Sequence, residues 1–346
     1  MAEKATVIRS IDVGYGNTKF CYGGDGKLEC GHFPSVASLH TGLDRGAGVM
    51  IRRDLQQVES DGSHYLVGKD GIDTLSSRDD RGRTLLTNYI ETPQHLALFR
   101  GALAYLGESE IDLLVSGLPV NFFAQHKERL AERLKGEHSY PDGKKIQVRD
   151  AWVIPQPIGG FINYFMNESE IDNIVELKSL TIDVGYYTVD WLVCRGLKLQ
   201  DERSGSTAGG MSLVLEKLTH LISEDRQAPF SDINIVDTGI QNGFKARIQG
   251  KEYDFSHLVK KMDAYIAIAI QSVISSVGSL DDIDVIVLVG GGATCYQPIV
   301  EELFNGREII VPNNSIYSNV KGFYLAGRER VRSMGVNSIW IKSELT

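Results

Sequence analysis

The sequence predicts an α/β protein built from two similar halves, and three observations predict it. Strand-like and helix-like segments alternate along most of the 346 residues, the pattern of a mixed sheet covered by helices. The tetrapeptide Asp-Val-Gly-Tyr occurs twice, at Asp12–Tyr15 and at Asp183–Tyr186, far apart in the chain. Each copy follows an apolar lead-in and runs into a second β-like stretch, so each reads as a hairpin in a repeated unit. Finally, the apolar run Asp284–Val289 leads directly into Gly290-Gly291-Gly292-Ala293 and then a helix. That is the strand-end position at which open α/β sheets bind ligands.

Taken in order, Thr6-Val7-Ile8 leads into the first strand, Gly14 and Gly16 turn the chain, and Lys19–Tyr22 returns. A turn at Gly23–Gly26 and a third strand near Leu28–Phe33 follow. From Pro34 to about Asn88 glycine, aspartate and arginine become frequent and β-like pieces are short, which reads as a small inserted subdomain with loops. Within it, Arg78–Arg83 reads as a solvated loop. Thr92 can cap and Pro93 open a helix whose apolar residues Leu96, Phe99, Leu103 and Leu106 keep helical spacing. Next come a buried strand at Ile111–Val120, an amphipathic helix at Phe122–Lys135, and two strands at Ile146–Val148 and Trp152–Ile154. A helix follows at Ile158–Asn167.

The second half opens on the Asp183 hairpin and continues through a Gly/Ser/Thr-rich connector, Ser204–Gly210, to a helix from Ser212 to about Ser223. Roughly Asp225 to Phe255 is a second polar insertion. One long helix is expected from Ser256 to about Val277, because Leu258, Met262, Ile266, Ile270 and Ile274 recur near helical spacing. After the glycine run come a helix at Gln297–Phe304, a strand at Ile309–Val311 and a last helix from Asn319 to about Arg332.

Composition narrows the function. The formal net charge of −9 argues against a large basic nucleic-acid-binding face. Cys21, Cys30, Cys194 and Cys295 have no metal-type spacing and read as free thiols in a reducing compartment. There is no signal-like apolar region at the N-terminus and no apolar segment long enough to span a bilayer. The expectation is a cytoplasmic protein with no membrane partner.

The hairpin tips suit a phosphate chain. Glycines let backbone N–H groups approach oxyanions closely, and Asn17 adds an amide donor. Lys19 offers a point charge for phosphates and Asp12 a carboxylate for a hydrated Mg²⁺. An ordinary Gly/Asn turn would contain the same residue types. The second copy, with its own Gly185, Tyr187 and Thr188, favours the site. Three consecutive glycines at 290–292 leave room for a flat ring or a phosphate. The sequence lacks a P-loop, a well-placed Rossmann fingerprint, a nucleophile elbow and a zinc signature.

In this order the residues resemble the actin, Hsp70 and sugar-kinase superfamily of ATPases over nearly the whole chain. Leu118-Pro119 after a strand, Gly210-Met211-Ser212-Leu213-Val214 opening a helix and Val320–Leu325 near the end point, within it, to plasmid-segregation actin-like ATPases of the ParM/StbA type. The resemblance implies an actin-like fold: two ribonuclease-H-like domains around a cleft that holds ATP or ADP with Mg²⁺. Domain I would be residues 1–177 plus 315–346 with its insertion at about 34–88, and domain II residues 178–314 with its insertion at about 225–255. By the same resemblance Asp12 would hold the hydrated Mg²⁺, and Gly14, Tyr15, Gly16, Asn17 and Lys19 would face the β- and γ-phosphates. Gly185, Tyr186, Tyr187 and Thr188 would form the opposing hairpin. Asp183 would orient or activate the attacking water and meet the metal through water, with Gln156 beside it. Gly291, Gly292 and Ala293 would pack on the adenosine, Gly209 and Gly210 belong to the same nucleotide-binding set, and Glu216 would reach the ribose or base.

Two departures stand out. ParM-type proteins have Glu at the Gln156 position, and a neutral amide is a poor base, so Asp183 is expected to carry more of the effect. Tyr186-Tyr187 replaces the Gly-Thr or Gly-Gly usual in the second hairpin. The function implied is ATP hydrolysis that controls self-assembly into filaments, coupled to plasmid DNA through a DNA-binding adaptor protein rather than by direct nucleic-acid contact. A small-molecule (sugar or acid) kinase of the same superfamily is the alternative, although no acceptor-site motif is evident. An Hsp70-like regulator is disfavoured, because no peptide-binding domain follows residue 346. A structural protein that binds nucleotide without hydrolysing it is the remaining reading.

Overall fold

The first hairpin forms where the sequence puts it. In the computed structural model, which describes residues 6–24, 27–40, 53–75, 88–167 and 176–335, β1 (Ile8–Val13) and β2 (Asn17–Gly24) pair antiparallel with Asp12 opposite Lys19. β3 (Lys27–Pro34) continues the meander. The first insertion contributes a separate three-stranded sheet of β4 (Ser38–Leu39), β5 (Gln56–Ser60) and β6 (Ser63–Val67); the Arg78–Arg83 loop lies outside the described residues. α1 (Pro93–Leu106) starts at its predicted cap, the Thr92 hydroxyl accepting the His95 N–H, and stops at Gly107 in the left-handed region. β7 (Glu110–Leu118), α2 (Val120–Leu134), β8 (Gly136–Ser139), β9 (Lys145–Pro155) and α3 (Gln156–Asn167) complete the lobe. Its sheet runs in the order β3-β2-β1-β7-β9-β8. β9 is one strand, not the two expected. Parallel pairing to β7 continues from Gln147 through Pro155 and keeps the polar middle of β9 extended.

The second lobe repeats the plan. β10 (Lys178–Val184) and β11 (Thr188–Arg195) form the second hairpin, with Asp183 opposite Asp190. β12 (Lys198–Leu199) follows, and β13 (Gly205–Ala208) pairs with β11, so part of the expected connector is strand. α4 (Met211–Asp225) leads to the second insertion, made of α5 (Ile233–Gln241) and the hairpin of β14 (Lys245–Ile248) and β15 (Lys251–Asp254). The expected long helix is broken into α6 (Ser256–Val259), a 3₁₀ turn at Lys260–Met262 and α7 (Asp263–Val277). The four-residue apolar spacing survives the break, since Leu258, Met262 and Ile266 are all buried. β16 (Val285–Val289), α8 (Ala293–Leu303) and β17 (Ile309–Ile310) follow, giving the sheet order β12-β11-β10-β16-β17.

α9 (Ser318–Gly335) then returns to the first lobe and packs against α3 and β1. Gly322 permits that crossing, since a Cβ there would lie 1.8 Å from the Gly159 carbonyl oxygen. Each lobe has its own core, and a third cluster around Phe323 joins Ile8, Val115 and Ile158 to Leu192 of the second lobe. Cys21 and Cys30 correct the reading of four free thiols. They are register partners on β2 and β3, with Cα atoms 4.2 Å apart, and form a disulfide; Cys194 and Cys295 are free. Among the described residues no helix is long and apolar enough to cross a membrane.

Candidate active site

Both hairpin tips open onto one cleft of about 630 Å³. The tips close in the same way: the Gly14 N–H donates to the Asn17 carbonyl at 3.2 Å, and the Gly185 N–H to the Thr188 carbonyl at 2.9 Å. Ser35, at the end of β3, secures the first tip through its hydroxyl to the Gly14 carbonyl and its N–H to the Gly16 carbonyl.

Asp12 is 1% exposed, and both of its carboxylate oxygens are engaged. Lys19 Nζ donates to Oδ2 at 2.8 Å and Gln156 Nε2 donates to Oδ1 at 2.7 Å. Burial alone would lower the Lys19 pKa, but the attraction of Asp12 outweighs it and the net shift is upward. This is a buried, charged pair inside one hairpin. Gln156 reaches it because the β9–α3 junction delivers the first residue of α3 to the cleft.

Asp183 is equally buried, but its surroundings differ. Its Oδ2 accepts from Asn319 Nδ2 at 2.6 Å. Burial, followed by the facing Asp190, pushes its pKa up to about 7. Asp190 accepts from the Thr188 hydroxyl at 2.6 Å and from the Val120 N–H at 3.3 Å, and burial raises it to about 6. A carboxyl that titrates near neutrality can accept a proton from water, which an ordinary exposed aspartate does poorly.

Beside the second hairpin the glycine run is used for close approach. Gly290 has φ 93°, and a Cβ there would meet Asp183 Oδ1 at 2.4 Å. Gly291 and Gly292 lie between Met211 and Ile316, leaving a flat wall against the backbone.

Family comparison agrees with this geometry. Residues 10–159 match the family described as actin-like proteins, N-terminal domain, and residues 181–302 match the archaeal actin homologue MreB-like C-terminal family. The chain thus carries an actin-like N-terminal domain followed by an MreB-like C-terminal domain. Solved structures share the fold of this actin-like chain at low identity. An archaeal actin homologue, Ta0583, in complex with ADP is 20% identical with a TM-score of 0.71, over 94% of this chain and all of that one. A 15-stranded ParM filament from Clostridium botulinum gives 20%, 0.70 and the same coverage. An AlfA filament bound to AMPPNP gives 17% and 0.64, over 96% of this chain and all of that one. No curated protein sequence matches the chain.

In this actin-like cleft the structure brings together Asp12, Gly14, Tyr15, Gly16, Asn17, Lys19, Gln156, Asp183, Gly185, Tyr186, Tyr187, Thr188, Gly291 and Gly292. Gly209 and Gly210 lie behind the second tip, both donating N–H groups to the Tyr187 carbonyl, and Ala293 is buried as the first residue of α8. Glu216 is not on the cleft wall. α4 buries Leu215, Leu218 and Thr219, and helical periodicity leaves Glu216 exposed. Sequence reading missed Asp190 and Asn319, as well as the α5 residues Asp237, Ile240 and Gln241, which line the cleft. Asp190 had a signal: it follows Asp183 at the spacing by which Lys19 follows Asp12. Asn319 had none.

Proposed function

We propose that the chain binds a nucleoside triphosphate between the two hairpins, hydrolyses it, and assembles into filaments under its control. The observation that carries this reading is the convergence of Asp12, with Lys19 and Gln156, and Asp183, with Asn319, on one cleft from the duplicated hairpins. The phosphates would run between the tips, with Lys19 as the cationic donor, and the adenosine would lie along Gly291–Gly292. Asp183 would take the proton of an attacking water that Gln156 helps to orient.

Mg²⁺ fits the donor set. Asp12, Asp183 and Asp190 are all buried and Lys19 is the cation bonded to one of them, so the cleft has a surplus of negative charge. Among the described residues no group of three or more His, Cys, Asp or Glu could hold a metal alone. That agrees with an ion held mainly by waters and substrate phosphates. Asp12 and Asp183 would hold its waters, and the ion would neutralise charge on the phosphates.

Filament assembly is supported by the filament relatives and the shared fold. A role in plasmid DNA segregation through a DNA-binding adaptor fits the acidic net charge of −9. Sedimentation and light scattering at micromolar protein test the reading. Polymer is expected with ATP, and little with ADP or without nucleotide. Equal sedimentation in all three conditions refutes nucleotide control.

A further inference from the structure

The amide that holds Asp183 comes from the other lobe. Asp183 lies near the end of β10 in the second lobe, whereas Asn319 lies in the first turn of α9, the helix that packs on α3 and β1 of the first. Asn319 is 4% exposed, and its Nδ2 donates to Asp183 Oδ2 at 2.6 Å. Its own Oδ1 has no hydrogen-bond partner among the described residues. A buried amide satisfied on one side only is costly, and an apolar side chain of the same size would avoid that cost. Small residues make the room for it: a Cβ on Gly159 would lie 2.5 Å from the Asn319 carbonyl oxygen, and one on Gly160 3.2 Å from its Oδ1. The other carboxylate oxygen, Asp183 Oδ1, lies against Gly290, whose N–H and carbonyl are both bonded to Ser315, just ahead of α9. Both sides of the carboxylate are therefore bounded by the chain that crosses between the lobes. Asp190, opposite Asp183, also accepts across the lobes, from the Val120 N–H at the start of α2.

Resting on the hydrolysis reading above, we propose that Asn319 is a positioning residue for hydrolysis, which from the first lobe occupies Oδ2 of Asp183 and leaves Oδ1 to meet the attacking water. Without the amide the carboxylate can turn about its Cβ–Cγ bond, and neither oxygen is kept on the water. A base that is present but not aimed loses much of its effect on rate. Asn319 is not among the residues that line the cleft, so nucleotide binding does not depend on it. Because amide and carboxylate belong to different lobes, the aim is set by how the lobes meet.

Phosphate release at saturating ATP and calorimetric titration with AMPPNP, both on the full chain, test this. Asn319→Leu keeps the bulk and removes the donor. Its turnover is expected to fall roughly tenfold or more, the scale of one hydrogen bond to a charged group, with AMPPNP affinity unchanged. In an Asp183→Asn background the same substitution is expected to bring no further loss, because the group it aims is gone. Asn319→Ala gives the same readouts should leucine disturb the packing of α9 on α3, and circular dichroism checks both folds. Wild-type turnover in the Asn319 variants, a loss of affinity that accounts for the loss of turnover, or an equal loss in the Asp183→Asn background overturns the proposal while leaving nucleotide hydrolysis intact. Failure of the wild-type chain to hydrolyse ATP, or full turnover in Asp183→Asn alone, overturns the hydrolysis reading and this proposal with it.

Discussion

The two hairpins share a turn and a spacing and differ in the residue that faces the aspartate. In each, an aspartate sits near the end of the first strand and a glycine N–H closes the turn on a carbonyl three residues on. In each, the residue seven places after the aspartate faces it across the ladder. That residue is Lys19 in the first lobe and Asp190 in the second. The first aspartate is therefore neutralised within its own hairpin, while the second is buried against a like charge and titrates near 7. The repeated turn supplies the geometry twice. One cross-strand difference separates a lobe that presents charge from a lobe that can move a proton.

The largest expected effect comes from breaking the first pair. Lys19→Met leaves the Asp12 carboxylate buried with the Gln156 amide still donating to it, and loss of one partner of a buried pair costs about 3–5 kcal/mol. Denaturant unfolding should show a lower midpoint at pH 7. A midpoint equal to wild type would mean that Asp12 does not depend on its cross-strand cation.

Next in size is the second lobe. Asp183→Asn keeps the side-chain shape and an acceptor for Asn319 but cannot take a proton. Turnover is expected to fall by roughly a hundredfold or more, with ATP still bound, as for loss of a positioned base. Phosphate release and nucleotide titration measure the two separately. Normal turnover in this variant would leave Asp183 without a chemical role and erase the contrast between the hairpins.

Local signals were legible in the sequence, and long-range ones were not. The Asp12 turn, the Thr92 cap and the strand-to-glycine junction at Val289–Gly290 are encoded by neighbouring residues, and the structure has all three. Gln156 was placed in the cleft through resemblance, beside Asp183; its bond to Asp12 could not be read from spacing, because the two are joined only by the packing of β1, β7 and β9. Asn319 lies 136 residues from Asp183, and no periodicity connects a helix start to a distant strand end. The Cys21–Cys30 bridge needed the register of β2 and β3, which a scan for metal spacing does not use. Glu216 is the converse case: the resemblance set its expected role, while the face of α4 it occupies, an exposed one, follows from the packing of the helix.

The smallest effect is the one that tests the like-charge pair directly, through pH. Asp183 and Asp190 titrate at about 7 and about 6 in the folded protein, above their ordinary value of 3.8. The folded state therefore binds more protons than the unfolded chain between about pH 4 and pH 7. By linkage, their contribution to stability falls as pH rises through that window and is level above it. Carboxylates with depressed values, such as Asp225 and Asp254, contribute in the opposite sense, so the difference between variants is the informative quantity. Asp190→Asn removes one titrating group and relieves the other, while its amide oxygen can still accept from Val120. The apo protein should gain stability relative to wild type, on the order of 2 kcal/mol at pH 8 and much less at pH 5. Thermal unfolding of both proteins at the two pH values measures this. A gain of the same size at pH 5 and pH 8 would mean that packing, not the facing charges, distinguishes the second hairpin from the first.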